Sequence, residues 1–227
     1  MRGRLLAYVL LSAALAAGPA LAAPELATVF DVQGRVEVRH AGSDRWTALK
    51  ADAPLRKGDR LRTGPESAVR ITFDRTNDRI VCLHADSQAE LRLAPNHFVL
   101  AQGRLSLVLD SAQGVVVTVT TRDFRVYLDQ GGAAVATGPT GSQVSVFGGN
   151  AKVNDRALAS HARMSAVDEG FKYFSSIASE EARFERMRYP DYAAWQTWVR
   201  SWYRKKDDRT ADMLRSDAAA RKGSTAP

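Results

Sequence analysis

Cysteine is almost absent from the sequence: Cys82 is the only one in 227 residues. A single cysteine excludes an intrachain disulfide, so the fold depends on its apolar core. Hydrophobic residues make up 45% of the chain, which is enough to build such a core. We expect no disulfide framework of the kind that small secreted domains use.

The sequence also lacks an apolar run of the roughly 20 residues that a membrane-spanning helix needs. The longest run covers residues 5–17 and is ended by Gly18-Pro19. Two arginines precede it, and the small-residue site Ala20-Leu21-Ala22 follows it. This layout is typical of a secretory signal peptide.

We expect residues 1–22 to be cleaved, so that the mature chain starts at Ala23 in the periplasm or outside the cell. Retention of residues 1–22 as an anchor is the alternative. No cysteine follows the apolar run, so a lipid anchor has no acceptor there.

Catalytic motifs are missing as well. The sequence has no nucleophile elbow, no dinucleotide fingerprint and no zinc-protease helix. Cys82, His84 and Asp86 alternate and could share one strand face, as a thiol with its base or as part of a metal site. Val81 and Leu83 occupy the predicted buried face, which places Cys82 and His84 on the wet face. We therefore predict no catalytic residue, no cofactor and no metal.

The pattern between residues 27 and 177 is β. Apolar residues alternate with polar ones, which buries one face of a strand and exposes the other. The inward sets are Val69/Ile71/Phe73, Leu105/Leu107/Leu109, Val115/Val117/Val119, Phe124/Val126/Leu128 and Val144/Val146. The predicted wet positions between them are Arg70, Thr72, Ser106, Thr118, Arg125 and Tyr127.

A longer period lies above these strands. Segments open at Leu61, Ile80, Phe98, Val115 and Ala133, spaced by 17 to 19 residues, and each reads as strand, polar turn, strand. A fixed period favours stacked units that cover one another. The sequence therefore predicts an all-β, two-layer stacked arrangement, β-roll or solenoid-like, followed by a C-terminal α-helical extension. A jelly-roll-like sandwich is the alternative.

The stretch GDRLRTG, residues 58–64, places two glycines around a basic segment in the manner of a phosphate loop. Such a loop requires a helix directly after it, so that the helix amides face the anion. The residues that follow, SAVRITF, form a strand pattern instead. We predict that GDRLRTG is a turn, a strand and a second turn.

Several segments resemble one known family. Gly34, Val36 and Val38, then Trp46, Leu49 and Leu55, precede GDRLRTG, SAVRITF, LHADSQAELRL and LAQGRL, and VSVFGGNAKV follows further on. Over residues 29–167 the chain resembles the FecR domain, a periplasmic module of the ferric-citrate-regulator type. The glycine-threonine step that follows the central strands in that family is replaced here by YLDQGGAAVATG.

The resemblance implies envelope-stress or uptake signalling. Signalling members of the family carry a cytoplasmic segment that binds a sigma factor, followed by a membrane helix. This chain has only the predicted signal peptide before the domain, so we expect that it does not itself pass a signal inward.

From residue 178 the sequence has helical periodicity. We predict a short helix over Ser179–Met187, a break at Pro190, and a long helix over Asp191–Leu214 with Asp191 as its N-cap. The predicted domains are thus the β domain at 27–177, the helical extension at 178–216 and a disordered tail at 217–227.

The long helix gathers aromatic residues on one face, and Trp195, Trp198, Trp202 and Tyr203 are its candidate partner-binding residues. Three uses of this face remain open. It packs on the β domain, it binds another envelope component, or it lies on a membrane surface.

Charge limits the partners. The formal net charge is +7, but the signs in the C-terminal segment are mixed rather than clustered, so we expect no nucleic-acid binding. The expected partner is another envelope protein or an anionic envelope polymer, with membrane contact at most peripheral.

The function predicted is that of an exported, non-enzymatic binding or scaffolding module. The alternative is a polysaccharide-active or peptidoglycan-active enzyme, which would need two carboxylates on one concave face. The oligomeric state stays open.

Overall fold

A computed structural model of the chain describes residues 25–73, 78–92, 96–110, 116–156 and 164–223. The predicted signal peptide lies outside these ranges, as do residues 224–227 of the predicted tail. Within the described ranges, the chain forms 17 strands and one helix.

The first of two β layers, layer one, contains nine strands, with β9 contributing its second half. In spatial order they are β4 (Pro54–Arg56), β1 (Glu25–Gln33), β6 (Ala68–Thr72), β7 (Arg79–Leu83), β9 (His97–Leu109), β12 (Gly131–Gly138), β13 (Gly141–Gly148), β16 (Phe171–Ser176) and β17 (Glu181–Arg186). Every neighbouring pair in this layer is antiparallel.

Layer two also contains nine strands, with β9 contributing its first half. In spatial order they are β3 (Thr47–Ala48), β2 (Val36–Arg39), β5 (Arg60–Thr63), β8 (Gln88–Leu91), β9, β10 (Val117–Thr120), β11 (Phe124–Leu128), β14 (Asn150–Asp155) and β15 (Met164–Asp168). The pair β9 and β10 is parallel, and the other pairs are antiparallel.

Spatial order follows chain order in most of both layers, so the fold grows in one direction as the chain proceeds. This is the predicted all-β, two-layer arrangement with a C-terminal helix. The main core lies between the layers and is built from the inward residues of the period-two pattern, among them Ile71, Leu107, Val126 and Val144, all 0% exposed. Burying one face of each strand against the other layer removes the apolar side chains from water.

The period of about 18 residues does not correspond to one stacked unit per period, as the sequence predicted. The opening residues Leu61 and Phe98 lie in layer two, whereas Ile80 and Ala133 lie in layer one. The turn after β5, the turn after β7 and the bend within β9 carry the chain from one layer to the other. The turns after β10 and β12 close hairpins within a layer. Val115 falls outside the described residues.

Corners that connect the layers share one hydrogen-bond pattern. The backbone N–H of Arg35 donates to Ser67 Oγ at 2.8 Å, and Ser67 Oγ donates to the Pro65 carbonyl at 2.9 Å. At the next corner the Arg104 N–H donates to Ser87 Oγ at 2.9 Å, and that hydroxyl donates to the Ala85 carbonyl at 2.9 Å.

Glycine is required beside each of these serines. Gly34 and Gly103 have φ of 70° and 90°, and a Cβ at either position would collide with the neighbouring serine side chain. Only glycine combines positive φ with so close an approach. The sequence repeats Gly-Arg because the corner repeats.

GDRLRTG forms the predicted turn, strand and turn. Gly58 has φ of 86°, β5 follows, and the chain then turns into β6. The buried Asp59 carboxylate accepts hydrogen bonds from the backbone N–H groups of Arg56 at 2.9 Å and Ala41 at 3.2 Å. Asp59 therefore holds a turn closed rather than serving a phosphate.

The short helix predicted over Ser179–Met187 is wrong, because β17 occupies this segment. Its six residues pair with β16, and the Phe184 ring packs 4.8 Å from the Tyr173 ring. Glu180, at φ of 52°, turns the hairpin that joins the two strands. Strand pairing with β16 overrides the helix propensity of this glutamate-rich and arginine-rich stretch.

The single described helix, α1, spans Tyr189–Gly223, which is longer at both ends than predicted. Residues 217–223 of the predicted tail belong to it. Asp191 lies in the first turn, and its carboxylate accepts a hydrogen bond from the Arg188 N–H at 3.0 Å. Asp191 thus caps from inside the helix instead of forming the N-cap itself. In the described part of the chain, no helix has the length and apolarity to cross a membrane.

Candidate functional site

The aromatic face of α1 packs on the outer surface of layer one. Trp202 is 0% exposed and meets Phe30 edge to face at 4.6 Å, and Trp195 is 9% exposed and stacks on Phe147 at 4.3 Å. A second apolar cluster forms here between helix and sheet. Its buried members are Phe30, Ile80, Val108, Ala134, Trp195 and Trp202.

Trp198 is half-buried between Trp195 and His84, and Tyr203 is 38% exposed at the rim. This is the packed arrangement among the three uses of the face considered above. Layer one covers the indoles of Trp195 and Trp202, whereas Trp198 and Tyr203 stay partly exposed. That Trp195, Trp198, Trp202 and Tyr203 bind a partner stays a prediction.

Charged contacts hold the middle of α1 to the sheet around this cluster. Lys205 contacts Asp31 at 2.6 Å, Lys206 contacts Asp78 at 2.7 Å, and Tyr203 donates to Asp110 at 2.7 Å. Arg209 reaches Asp52 and also lies 4.5 Å from the Phe30 ring. Lysine and arginine on the helix therefore meet aspartates at the edges of the apolar contact, which fixes the orientation of α1.

Cys82 and His84 lie under the helix, so their predicted placement on a wet face is wrong. They do point away from the main core, as the alternation with Val81 and Leu83 required. The second face of layer one is covered by α1, however, and Cys82 is 1% exposed. Arg70, Thr72 and Ser106, which were also predicted to be wet, are likewise buried.

Burial sets the protonation of both groups. It raises the pKa of the Cys82 thiol to about 11, so the thiolate that a nucleophile needs is not formed at neutral pH. Burial, aided by Arg104 and Arg70, lowers the pKa of His84 to about 4. The His84 ring lies 2.7 Å, Nε2 to Oγ, from Ser106. In the described residues no group of three or more His, Cys, Asp or Glu side chains forms a metal site.

His84 should make the stability of the protein pH-dependent. The pKa in the folded state, about 4, is below the ordinary value of 6.5, so the unfolded chain takes up the proton first. The contribution of His84 to the free energy of unfolding is fully present above pH 6.5 and is lost as the pH falls towards 4. At about 1.4 kcal/mol per pKa unit, the loss reaches about 3 kcal/mol. Urea unfolding at pH 7 and pH 4.5 measures it.

The matched variants are His84→Gln and His97→Gln. His84→Gln is expected to remove most of the pH dependence between 6.5 and 4, because glutamine does not titrate. Burial and the neighbouring Arg125 also lower the pKa of His97, but His97 is only partly buried on layer two, so His97→Gln should leave most of the dependence in place. An unchanged pH profile in His84→Gln would contradict the assignment.

Two buried carboxylates lie near one another in register, since Asp155 pairs with Phe124, the residue after Asp123. Asp123 accepts hydrogen bonds from Ser142 Oγ at 2.5 Å and from the Ile177 N–H at 3.0 Å. Asp155 accepts from the Tyr173 hydroxyl and from Ser175 Oγ at 3.0 Å. Both carboxylates are buried and tie strands together inside the fold.

The outer surface of layer two is here named the open face, and the described side-chain contacts of α1 are made to layer one instead. Register aligns its side chains in rows across the strands. One row contains Arg39, Arg60, Glu90, Val99, Thr120, Arg125 and Asn154. The adjacent row contains His97, Thr118, Tyr127 and Lys152.

Cations outnumber carboxylates on the open face. Glu37 is shared by Arg62 at 2.8 Å and Arg35 at 3.4 Å, and Glu90 is shared by Arg60 and Arg92, both at 3.0 Å. Glu37 and Glu90 are thus each matched by two arginines. The surface is left positively charged.

An aromatic residue interrupts the cations at one end of the open face. The Arg62 guanidinium lies 4.3 Å, and that of Arg39 5.3 Å, from the centre of the Trp46 ring. Such cation–π contacts use the face of a guanidinium and leave N–H donors at its edge for a carboxylate, solvent or ligand.

At the other end, a groove of about 390 Å³ runs beside β11 and β14. Its walls include Tyr127, Asp129, Gln130, Asn150 and Lys152. An aromatic ring flanked by amide, carboxylate and ammonium groups can pack on a sugar ring and hydrogen bond to its hydroxyls. The open face is therefore the candidate functional site.

Sequence reasoning did not assign a role to the open face. It did place Thr118, Arg125 and Tyr127 on the wet side of their strands, and the structure confirms that side. The rows, however, join residues more than 100 positions apart, such as Arg39 and Asn154, and only the strand register brings them into line.

Comparison with known proteins gives limited similarity. No family model matches the chain, and no curated protein matches it. Its structure is similar to two crystal structures of a candidate anti-sigma factor from Parabacteroides distasonis, solved at 1.65 and 2.50 Å. In each case the TM-score is 0.48 and the identity 13%, over 60% of this chain. The chain spans 63% and 64% of those two chains, less than two thirds of their length. The FecR resemblance stays a prediction.

Proposed function

We propose that this protein is an exported, non-enzymatic binding module of the cell envelope, and that its open face binds an anionic envelope polymer. The observation that carries the proposal is the excess of cations on the open face, arranged in rows with Trp46 at one end and Tyr127 at the other. A long polyanion can contact such a row at many points, each of them weak.

Geometry supports a polymer rather than a small anion. Neighbouring strands are about 4.8 Å apart, so one row presents side chains at regular intervals across the layer. Arg39 and Arg125 lie in the same row on separate strands, and Lys152 lies in the adjacent row on the strand next to Arg125. An extended chain laid across the strands would meet these cations in turn.

The export prediction supports the location. The signal-peptide layout of residues 1–22 would deliver the mature domain to a compartment that contains acidic polysaccharides and lipid headgroups. The FecR resemblance adds envelope signalling as the setting of this binding.

Charge reversal on the open face tests the proposal. The double variant Arg39→Glu/Arg125→Glu is expected to weaken binding to polygalacturonate, an acidic polysaccharide, by at least about tenfold, because two attractive contacts become repulsive. Isothermal titration calorimetry at two salt concentrations measures it, and the wild-type affinity should fall as salt increases.

The matched control is Arg200→Glu/Arg204→Glu, which reverses two exposed arginines on the solvent side of α1. It changes the net charge equally and should leave binding within about twofold. Equal losses in both double variants would show that only net charge matters and would contradict a site on the open face. Release of shortened polymer during the titration would instead support the enzymatic alternative.

A further inference from the structure

Strand β17 forms one edge of layer one. It pairs with β16 through six residue pairs, from Phe171 with Arg186 to Ser176 with Glu181. No other described strand pairs with it. Five of its six residues are exposed, and their sequence is Glu-Ala-Arg-Phe-Glu-Arg. An exposed edge offers unpaired backbone groups to any strand that fits.

A hydrogen bond at the end of the β16–β17 pair shows in which direction the backbone N–H and C=O groups of β17 point. The Met187 N–H donates to the Gly170 carbonyl at 2.7 Å, so the backbone of Met187 faces β16. Successive residues of a strand face opposite neighbours. The N–H and C=O groups of Ala182, Phe184 and Arg186 therefore face the free edge.

We propose that the free edge of β17 binds a second copy of this chain, antiparallel, about a two-fold axis at Phe184. In this register Phe184 exchanges both backbone hydrogen bonds with Phe184 of the second copy. Arg183 then lies opposite Glu185 of the second copy, and Glu185 lies opposite its Arg183. These are non-hydrogen-bonded pairs, whose Cα atoms are only about 4.5 Å apart, so their charges interact strongly.

Charge complementarity selects this register over its neighbours. A two-fold axis at Arg183 would oppose arginine with arginine and Glu181 with Glu185. An axis at Glu185 would oppose the two copies of that carboxylate, and an axis at Arg186 would oppose the two copies of its guanidinium. An axis at Ala182 pairs opposite charges but overlaps a shorter part of the strand. The Phe184 register combines the longest overlap with matched charges.

Exposed apolar surface at the same edge would be covered by this pairing. Phe184 is 53% exposed although it packs on Tyr173. Cross-strand aromatic pairs stabilise antiparallel strands. Charged residues usually protect an edge from aggregation. On β17 like charges oppose one another when the axis lies at Arg183, Glu185 or Arg186, and the Phe184 register has a longer overlap than the Ala182 register, which limits the edge to a defined dimer.

Two single variants and their mixture test the pairing. Arg183→Glu and Glu185→Arg each place like charges opposite one another in a homodimer, and each is expected to raise the dimer dissociation constant by at least about tenfold. An equimolar mixture of the two variants is expected to form heterodimers, because every opposed pair is then attractive. Sedimentation equilibrium of the full-length exported chain from about 1 µM to about 1 mM covers the range for small interfaces.

The double variant Arg183→Glu/Glu185→Arg should dimerise like the wild type, because it exchanges the two signs at once. Glu169→Arg, a charge reversal in the exposed turn between β15 and β16, serves as the control and should leave dimerisation unchanged. A wild-type chain that is monomeric throughout this range would overturn the proposal. So would a dimer that survives both single variants. If one single variant failed to fold, the other would decide, because a dimer that survives in it would overturn the proposal.

Discussion

Replacing Trp202 with alanine is expected to lower the free energy of unfolding by about 3 to 5 kcal/mol, the range for deletion of a buried large side chain. Trp202 is fully buried between α1 and layer one, where it meets the Phe30 ring edge to face. Alanine would leave a cavity at the centre of the helix contact. Urea unfolding followed by circular dichroism measures the loss.

Cys82 reports whether the loss arises from undocking of α1. This thiol is the only one in the chain, and α1 covers it. Its reaction with a thiol reagent at pH 8 requires the helix to leave the sheet, so its rate follows the undocked population. A loss of about 3 kcal/mol in Trp202→Ala should raise the labelling rate about 100-fold, since every 1.4 kcal/mol is tenfold.

Thr197→Ala is the matched control, because Thr197 lies on the exposed side of the same helix. It should change stability by less than about 0.5 kcal/mol and leave the labelling rate unchanged. Fast labelling of Cys82 in the wild-type chain would contradict the docked helix. It would also return the aromatic face of α1 to consideration as a partner-binding surface.

Period-two alternation predicted the strands correctly because burial of one face is a local property of sequence. Whether the other face of a strand is exposed to solvent depends on distant parts of the chain. Cys82 and Ser106 were expected in solvent, and both are buried because α1, which begins more than 80 residues after Ser106, folds back over them. The amphipathic pattern of α1 predicted a buried aromatic face without indicating which surface would cover it.

In the segment of β17, the local sequence preference itself predicts the wrong secondary structure. Glutamate and arginine favour helices, and nothing in the six residues themselves outweighs that preference. The hairpin with β16 does, through hydrogen bonds and the contact between Phe184 and Tyr173. The open face escaped prediction for a similar reason, since its rows exist only after the register of layer two is formed.

Replacing Val126 with aspartate is expected to unfold the protein. Val126 is 0% exposed between the layers, opposite Val119 on β10 and Val153 on β14. A carboxylate there has no partner and must either stay charged in an apolar site or take up a proton. The expected destabilisation is at least about 4 kcal/mol, a large part of the 5 to 15 kcal/mol by which domains are stable. Circular dichroism at 25 °C measures the folded fraction.

Arg125→Asp, one residue earlier on the same strand, separates the core from the open face. The Arg125 side chain points outward and donates to Thr120 Oγ1 at 3.2 Å, so its replacement should cost no more than about 1 kcal/mol. The variant should remain folded and bind polygalacturonate more weakly, because one cation of the row becomes an anion. Similar stability in Val126→Asp and Arg125→Asp would mean that the register of β11 is shifted by one residue. A folded Arg125→Asp variant with unchanged binding would remove Arg125 from the polymer site and leave the core assignment intact.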